Sequence, residues 1–458
     1  MRTAQLGFWW QTLGGPAPAR ERLQEPLEVD VAIVGAGYTG LWTAYYLKRA
    51  DPTLQIAVLE REVAGYGASG RNGGWVSGFF AGAPSRYTQR SGAAALAALQ
   101  REMFATVDEV GAFLYEHGLE ADYVKSGQLG VAIGGAQAAR LRGLVEAARA
   151  GGLGEEDLRE LSAAELGERV RVRGARAASF TPHVARVHPA KLVRGLAGVV
   201  EGLGVPIYEH TPVLLAAPHA AATPSGIVKA RWVVRATEGY TASLPGLRRA
   251  LAPVNSSMIV TEPLPAEAWS QIGWSAHELM ADEGHVFVYL QRTADGRIAI
   301  GGRGVPYRYG SRTDGDGRTA ARTVSALRDK LTTMFPPARE AELAHAWSGV
   351  LGVARDWCVT VGADERHGLA WAGGYVGEGV AAANLAGRTL RDLLLGEDTP
   401  LTRSPWVTRA SRRWEPEPLR WAAIRGVYGL YRLADEIERR SGRPSRMANT
   451  LDALTGRS

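Results

Sequence analysis

The stretch Val29-Asp30-Val31-Ala32-Ile33-Val34-Gly35-Ala36-Gly37-Tyr38-Thr39-Gly40 constrains this chain more than any other. An apolar run of strand length enters Gly-x-Gly-x-x-Gly. A helix-compatible stretch, Leu41 to Lys48, follows, and a second apolar run, Leu54 to Leu59, ends at Glu60. Strand, tight turn, helix, strand and acid in that order describe a dinucleotide-binding unit. Gly35 permits the turn, Gly37 lets backbone approach a pyrophosphate, and Gly40 lets helix and strand pack closely. Ala36, Tyr38 and Thr39 fill the turn and open the helix, whose free N–H groups and positive dipole end suit phosphates. Glu60 lies about twenty residues past the last glycine, where an acid accepts ribose hydroxyls, with Arg61 beside it.

The 458 residues suffice for two substantial domains. The net charge of +6 is modest, and acidic residues interrupt the many arginines. No single-sign block marks a nucleic-acid arm, so no nucleic-acid partner is expected. A single cysteine, Cys358, excludes an intrachain disulfide and a thiolate metal cluster. That usage fits a reducing, cytoplasmic setting, and no metal site is expected. Residues 1–11 lack the apolar core of a secretory signal, and no apolar run is long enough to span a bilayer.

Along the chain, Phe8-Trp9-Trp10 reads as an aromatic cluster packing on the body of a domain. The loop Gly65 to Trp75 carries five glycines in close succession with Ser69, Arg71 and Asn72, implying backbone in close approach to a flat or charged group. Residues 93–118 read as a long amphipathic helix, 127–133 as a strand and 136–150 as a helix. Ser162 and Glu165 have the spacing of a capping box. A helix is expected from about 189 to 203, short strands at 204–208 and 211–215, and a strand ending in Ala236-Thr237-Glu238-Gly239-Tyr240. Residues 253–310 read as β-rich, with strands at 257–261, 286–291 and 297–301 and a hairpin turn at Asp295-Gly296. A helix over 320–335 stops at Pro336-Pro337. Gly373-Gly374-Tyr375-Val376-Gly377-Glu378-Gly379-Val380 then feeds a second helix N-terminus, and the amphipathic stretch 419–439 is expected to dock on the domain.

Taken together, Gly-Ala-Gly-Tyr-Thr-Gly, Glu60, the loop Gly67 to Gly74, Ala-Thr-Glu-Gly-Tyr and the late Gly-Tyr-x-Gly-x-Gly-Val resemble a known family. The chain is similar to the FAD-dependent amine and amino-acid oxidoreductases of the D-amino-acid oxidase, glycine oxidase and sarcosine oxidase superfamily. Within it the chain most resembles the bacterial γ-glutamylputrescine oxidase-like and aminophosphonate oxidoreductase group. The resemblance implies an α/β fold: a Rossmann-like FAD/NAD(P)-binding domain of glutathione-reductase type with a β-rich α+β substrate domain. The expected division is 1–90, 181–250 and 344–400 for the FAD domain, 91–180 and 251–343 for the substrate domain, and 401–458 for a C-terminal helical extension. It also implies that Gly35, Gly37 and Gly40 meet the pyrophosphate and Glu60 the ribose. Ser69, Gly70, Arg71, Asn72 and Gly73 would line phosphates and flavin, and Val213 would face the adenine. Thr237, Glu238 and Gly239 would approach the cofactor, and Gly374, Gly377, Gly379 and Val380 would lie beside the flavin pyrimidine edge.

Some relatives tether flavin through Cys or His. Here Trp347 to Ala354 holds no Cys and Gly67 to Trp75 no His, so non-covalent FAD is expected. The strand near 297–301 lacks the lysine that sarcosine oxidases place there, which leaves the electron acceptor open between oxygen and a carrier. Only one complete dinucleotide fingerprint is present, which favours direct oxidation of a bound amine by hydride transfer from its α-carbon to flavin N5. Tyr289, Arg292, Arg303, Tyr307, Trp75 and Tyr375 are the candidates for the substrate pocket; Arg suits a carboxylate or phosphonate because its planar fork bonds two oxygens. His183 and His188 have no acid at a useful spacing and read as structural. Two other classes stay open: a flavin monooxygenase fed by a partner reductase, and a non-catalytic flavoprotein subunit. No oligomeric state can be read from the sequence.

Overall fold

The computed structural model describes residues 6–303, 306–313, 317–408 and 411–455. Its first sheet holds the dinucleotide motif. Strand Leu27–Val34 lies between Ile56–Leu59 and Gly226–Arg235, parallel to both, with Leu369–Gly373 beyond the latter and Ile207–Tyr208 beyond the former. Val31 to Val34 and Ile56 to Leu59 are buried, as strands covered on both faces must be. Helices Tyr38–Ala50 and Gly379–Leu395 pack on each other against this sheet. Gly387 allows their contact, since a Cβ there would stand 2.8 Å from the Trp42 side chain.

The second sheet has eight strands in the order 343–353, 252–261, 298–302, 288–292, 279–282, 128–133, 175–181, 159–162. All its pairings are antiparallel except that of Leu279–Asp282 with Gln128–Ile133. One face packs on helices Ala266–Ile272 and Ala321–Met334 through Leu290, Ile298, Ile300, Leu327 and Leu331. Leu279–Asp282 and Ala266–Ile272 were not expected, being too short to display a period. Strand Leu343–Val353 pairs along its length with Ala252–Thr261, so by sheet membership it lies with the second sheet rather than with 344–400. The expected strand 211–215 is loop as far as Leu214; pairing begins at Leu215.

Several local expectations hold. Ser162 and Glu165 form the reciprocal capping box. The long helix runs Pro84–Glu116, with a break at Gly92. Phe8, Trp9 and Trp10 are buried, Trp9 donating its indole N–H to the Asn72 carbonyl at 2.8 Å. Helix Leu419–Ser441 docks through Ile424, Tyr428, Tyr431 and Ala434. It also braces the second sheet. Asp435 accepts the N–H groups of His285 and Val286, and Arg140 bridges Glu438 and His285. No helix among the described residues is long and apolar enough to cross a membrane.

His188 caps helix Pro189–Gly202: its Nδ1 accepts the Lys191 N–H, and Nε2 lies 2.9 Å from Thr12 Oγ1, whose own proton goes to the Trp9 carbonyl. That fixes the neutral tautomer with the proton on Nε2. Burial holds the imidazole down to about 4. The unfolded chain therefore binds the proton first as pH falls, so this contribution is complete above about 6.5 and is lost toward 4. About 3 kcal/mol of stability is expected to disappear across that window. Urea midpoints measured against pH check this: His188→Asn keeps a cap acceptor but should flatten that part of the slope.

Candidate active site

Two cavities meet in the molecule. The first is a cleft at the carboxyl ends of the parallel strands, lined by Gly35, Gly37, Tyr38 and Thr39 on one side and Gly377, Gly379 and Val380 on the other. Such a position is where open α/β sheets bind ligands. Gly35 has φ +108°, and a Cβ there would stand 2.7 Å from the Ala236 carbonyl oxygen. At Gly40 a Cβ would stand 2.0 Å from the Gly35 carbonyl oxygen. Glu60 lines the cleft and uses its carboxylate to accept the N–H groups of Ala36 and Glu62 at 2.8 and 2.9 Å. Burial pushes its carboxyl up, against those two hydrogen bonds. A carboxylate has about four acceptor directions, so some remain for a ribose.

Asn72 shapes the glycine loop: its amide donates to the carbonyls of Ala68 and Ser69, and its side-chain oxygen accepts the Gly74 N–H. Ser69 Oγ accepts the Tyr38 N–H at 2.9 Å, and a Cβ on Gly37 would stand 2.9 Å from that oxygen. The two helix N-termini are tied together by Thr39 Oγ1 and the Tyr375 hydroxyl, 2.9 Å apart. Glu238, at φ +39°, spans the strand end and the late glycine turn, accepting the Gly374 and Tyr375 N–H groups at 3.2 and 3.1 Å. Burial pushes its carboxyl up to about 7, against those hydrogen bonds. A non-glycine residue with positive φ at a cleft is stored strain, held here by both contacts.

The second cavity, about 380 Å³, lies over the open face of the second sheet. Ala68, Asn72, Leu351, Gly377 and Val380 line both cavities, so the two adjoin there. Trp75, Tyr289 and Arg303 line the second cavity. The Tyr289 ring lies across Gly301 and Gly73: a Cβ would stand 2.3 Å from it at the first and 2.7 Å at the second. Its hydroxyl lies 3.0 Å from Ser256 Oγ. Arg303 donates to the Tyr428 hydroxyl at 2.6 Å and to the Val376 carbonyl at 3.0 Å. Glu378, the N-cap residue of helix Gly379–Leu395, also lines this space, its carboxyl raised by burial.

The first cleft carries the groups that a dinucleotide needs: the Glu60 carboxylate, the N-termini of helices Tyr38–Ala50 and Gly379–Leu395, and an apolar wall from Val213, Leu244 and Val350. A family model described as FAD dependent oxidoreductase (DAO) matches residues 30–393. The chain belongs to that family. FAD is thus its cofactor, and the enzyme is an FAD-dependent oxidoreductase. Among curated relatives, the gamma-glutamylputrescine oxidoreductase of Escherichia coli is 27% identical, covering 82% of this chain and 86% of that one. A probable oxidoreductase OrdL of Haemophilus influenzae is 26% identical, covering 81% and 84%. The crystal structure of glycine oxidase from Geobacillus kaustophilus shares the fold at TM-score 0.70 and 22% identity, covering 84% of this chain and 99% of that one.

The cleft brings together Gly35, Gly37, Tyr38, Thr39, Glu60, Arg61, Ser69, Asn72, Val213, Thr237, Glu238, Gly239, Gly377, Gly379 and Val380 from the residues singled out in the sequence. Others stand elsewhere. Ala36, Gly40, Gly70 and Gly374 line neither cavity and act by close packing; a Cβ on Gly70 would stand 2.5 Å from Trp10 Nε1. Arg71 and Gly73 line the second cavity only, and Arg71 is stacked 4.5 Å over the Tyr66 ring. Tyr375 lines the cleft and not the second cavity. Arg292 and Tyr307 line neither. Arg292 stacks on Trp269 at 4.1 Å and donates to the Trp274 carbonyl, and Tyr307 is buried with its hydroxyl on Glu417. His183 does meet an acid, Asp157 at 2.9 Å, but that carboxylate is also clasped by Arg101, and the imidazole is stacked on Phe104. Tyr240, Ser256, Glu283 and Glu378 also line these cavities without a role assigned from the sequence; Tyr240, closing the Ala-Thr-Glu-Gly-Tyr motif, and Glu378, set between Gly377 and Gly379, carried a signal.

Proposed function

We propose that the chain oxidises the carbon beside the nitrogen of a small amine or amino-acid-like substrate, giving an imine that water converts to an aldehyde or keto product. FAD supplies the hydride acceptor. The observation that carries this reading is that the two cavities adjoin at Ala68, Asn72, Leu351, Gly377 and Val380, which supports a substrate bound in the second cavity beside the dinucleotide cleft. The N-terminus of helix Gly379–Leu395 at that junction favours negative charge. Tyr289 keeps its proton, because burial raises its hydroxyl, and so serves as a neutral donor or acceptor beside Ser256. Arg303 and Arg71 are the arginines that line the second cavity, and Arg303 is the candidate partner for a substrate carboxylate. Neither cavity is lined by a Cys or His among the described residues, and Cys358 is buried beside Gly82 and Tyr87, which supports non-covalent FAD.

Anaerobic mixing of the FAD-loaded protein with a panel of amines, amino acids and aminophosphonates tests this. At least one class is expected to bleach the flavin's visible absorbance without NADPH. Bleaching by NADPH with a reductase alone, and by no amine, overturns the reading.

A further inference from the structure

The cavity that leaves the cofactor junction is long. It starts beside Gly349 and Leu351, passes Ser256, Met258 and Tyr289, and ends over Gln128, Ser179 and Thr181. From strand Ala252–Thr261 to strand Gln128–Ile133 there are four strand spacings, roughly 19 Å at the usual separation. At that far end stands Glu283, on the residue after strand Leu279–Asp282. Its carboxylate lies over Gly130: a Cβ on that glycine would stand 2.5 Å from Glu283 Oε1. Glycine at 130 therefore makes the room this side chain occupies.

Glu283 is half-buried, lines the cavity and, among the described residues, its carboxylate has no hydrogen-bond or ion-pair partner. Its neighbours are already engaged. Asp282 holds Lys330 at 2.7 Å and the Val288 N–H, while Arg140 holds Glu438 and the main-chain carbonyl of Glu283. Burial and the Asp282 charge push the Glu283 carboxyl up to about 7. A part-desolvated carboxylate without a counter-ion becomes more favourable once a cation reaches it.

We infer that the far end of the substrate cavity is a subsite for a second, cationic nitrogen, with Glu283 as its counter-ion. The substrate class is then an extended amine that carries a positive nitrogen remote from the one oxidised, as in an α,ω-diamine or a polyamine. Leu158 and Phe287, which line the same end, suit the methylene chain between the two nitrogens.

This inference rests on the amine-oxidation reading for which end of the substrate reacts, but its test is a binding measurement. Anaerobic calorimetry on the FAD-loaded protein compares diaminobutane and diaminododecane with the monoamines of the same carbon chains, in wild type and in Glu283→Gln. The wild type is expected to prefer the longer diamine over its monoamine by at least about tenfold, and the isosteric variant to erase that ratio. Glu283→Asp, which keeps the charge on a shorter stem, should retain part of it; the bound-flavin spectrum reports that each variant is folded. An equal ratio in wild type and Glu283→Gln, or no preference in wild type, overturns the subsite. Diamine binding that depends on Glu283 without any flavin bleaching would leave the subsite standing and sink the oxidation reading; bleaching by amines with no dependence on Glu283 would do the reverse.

Discussion

Gly40→Ala is expected to yield a protein that purifies without flavin and unfolds well below the wild type. The added Cβ would stand 2.0 Å from the Gly35 carbonyl oxygen and 3.0 Å from Ile33 Cγ2. Neither is the free end of a flexible side chain, so helix Tyr38–Ala50 must move off its strand. Overpacking of this kind costs about 3 kcal/mol or more where backbone has to shift. The same displacement takes the N–H groups at Tyr38 and Thr39 out of the cleft and breaks the Thr39–Tyr375 contact. Loss of about 3 kcal/mol from the bound state alone weakens FAD by about a hundredfold. FAD titration by fluorescence quenching and a thermal melt measure the two effects. Near-normal affinity would mean that the helix tolerates the shift and that the glycine has another reason.

The second large effect is expected at Glu238. Its two carboxylate oxygens separately hold the Gly374 and Tyr375 N–H groups, and it is the direct link between strand Gly226–Arg235 and the late glycine turn. Glu238→Ala leaves both donors buried without partners, about 1–3 kcal/mol each. Water entering the vacated space recovers part of this, so a net loss of roughly 2–4 kcal/mol is expected. Because the turn supplies Gly377 and Gly379 to the cleft, FAD affinity should fall with stability. Glu238→Gln tests the geometry. It has a single acceptor oxygen for two donors and should lie between wild type and alanine in both readouts. An alanine variant with wild-type affinity would show that the turn keeps its shape without this tie.

The elements that were legible in the sequence are those whose reasons are local. Gly35, Gly40 and Glu60 lie within one strand–helix–strand unit, where spacing alone dictates what each must do. The Ser162–Glu165 capping box spans one helical turn. Glu238, expected near the cofactor from its motif, lines the cleft, but its bond to a turn 136 residues later cannot be read from spacing. Arg292 was misplaced for a reason the strand period supplies: it is three residues from Tyr289 on Val288–Arg292, and odd separations point to opposite faces. Tyr307 was lost to the cavity because Glu417, from the C-terminal extension, holds its hydroxyl. Glu283 gave no signal because the strand that delivers it has four residues and pairs with a strand almost 150 positions upstream.

The parallel sheet that cradles the dinucleotide draws its strands from residues 27–59, 207–235 and 360–373, with the other sheet's strands interleaved between them. During synthesis the early motif must therefore leave the ribosome with one side uncovered, and it waits through some three hundred further residues before strand Leu369–Gly373 and helix Gly379–Leu395 arrive to cover it. The second sheet is complete in sequence at Val353, whereas the first still lacks Thr360–Asp364 and Leu369–Gly373 at that point. Cofactor capture is consequently an event of the finished polypeptide, and a nascent chain cut short before that helix would have the fingerprint but no vessel.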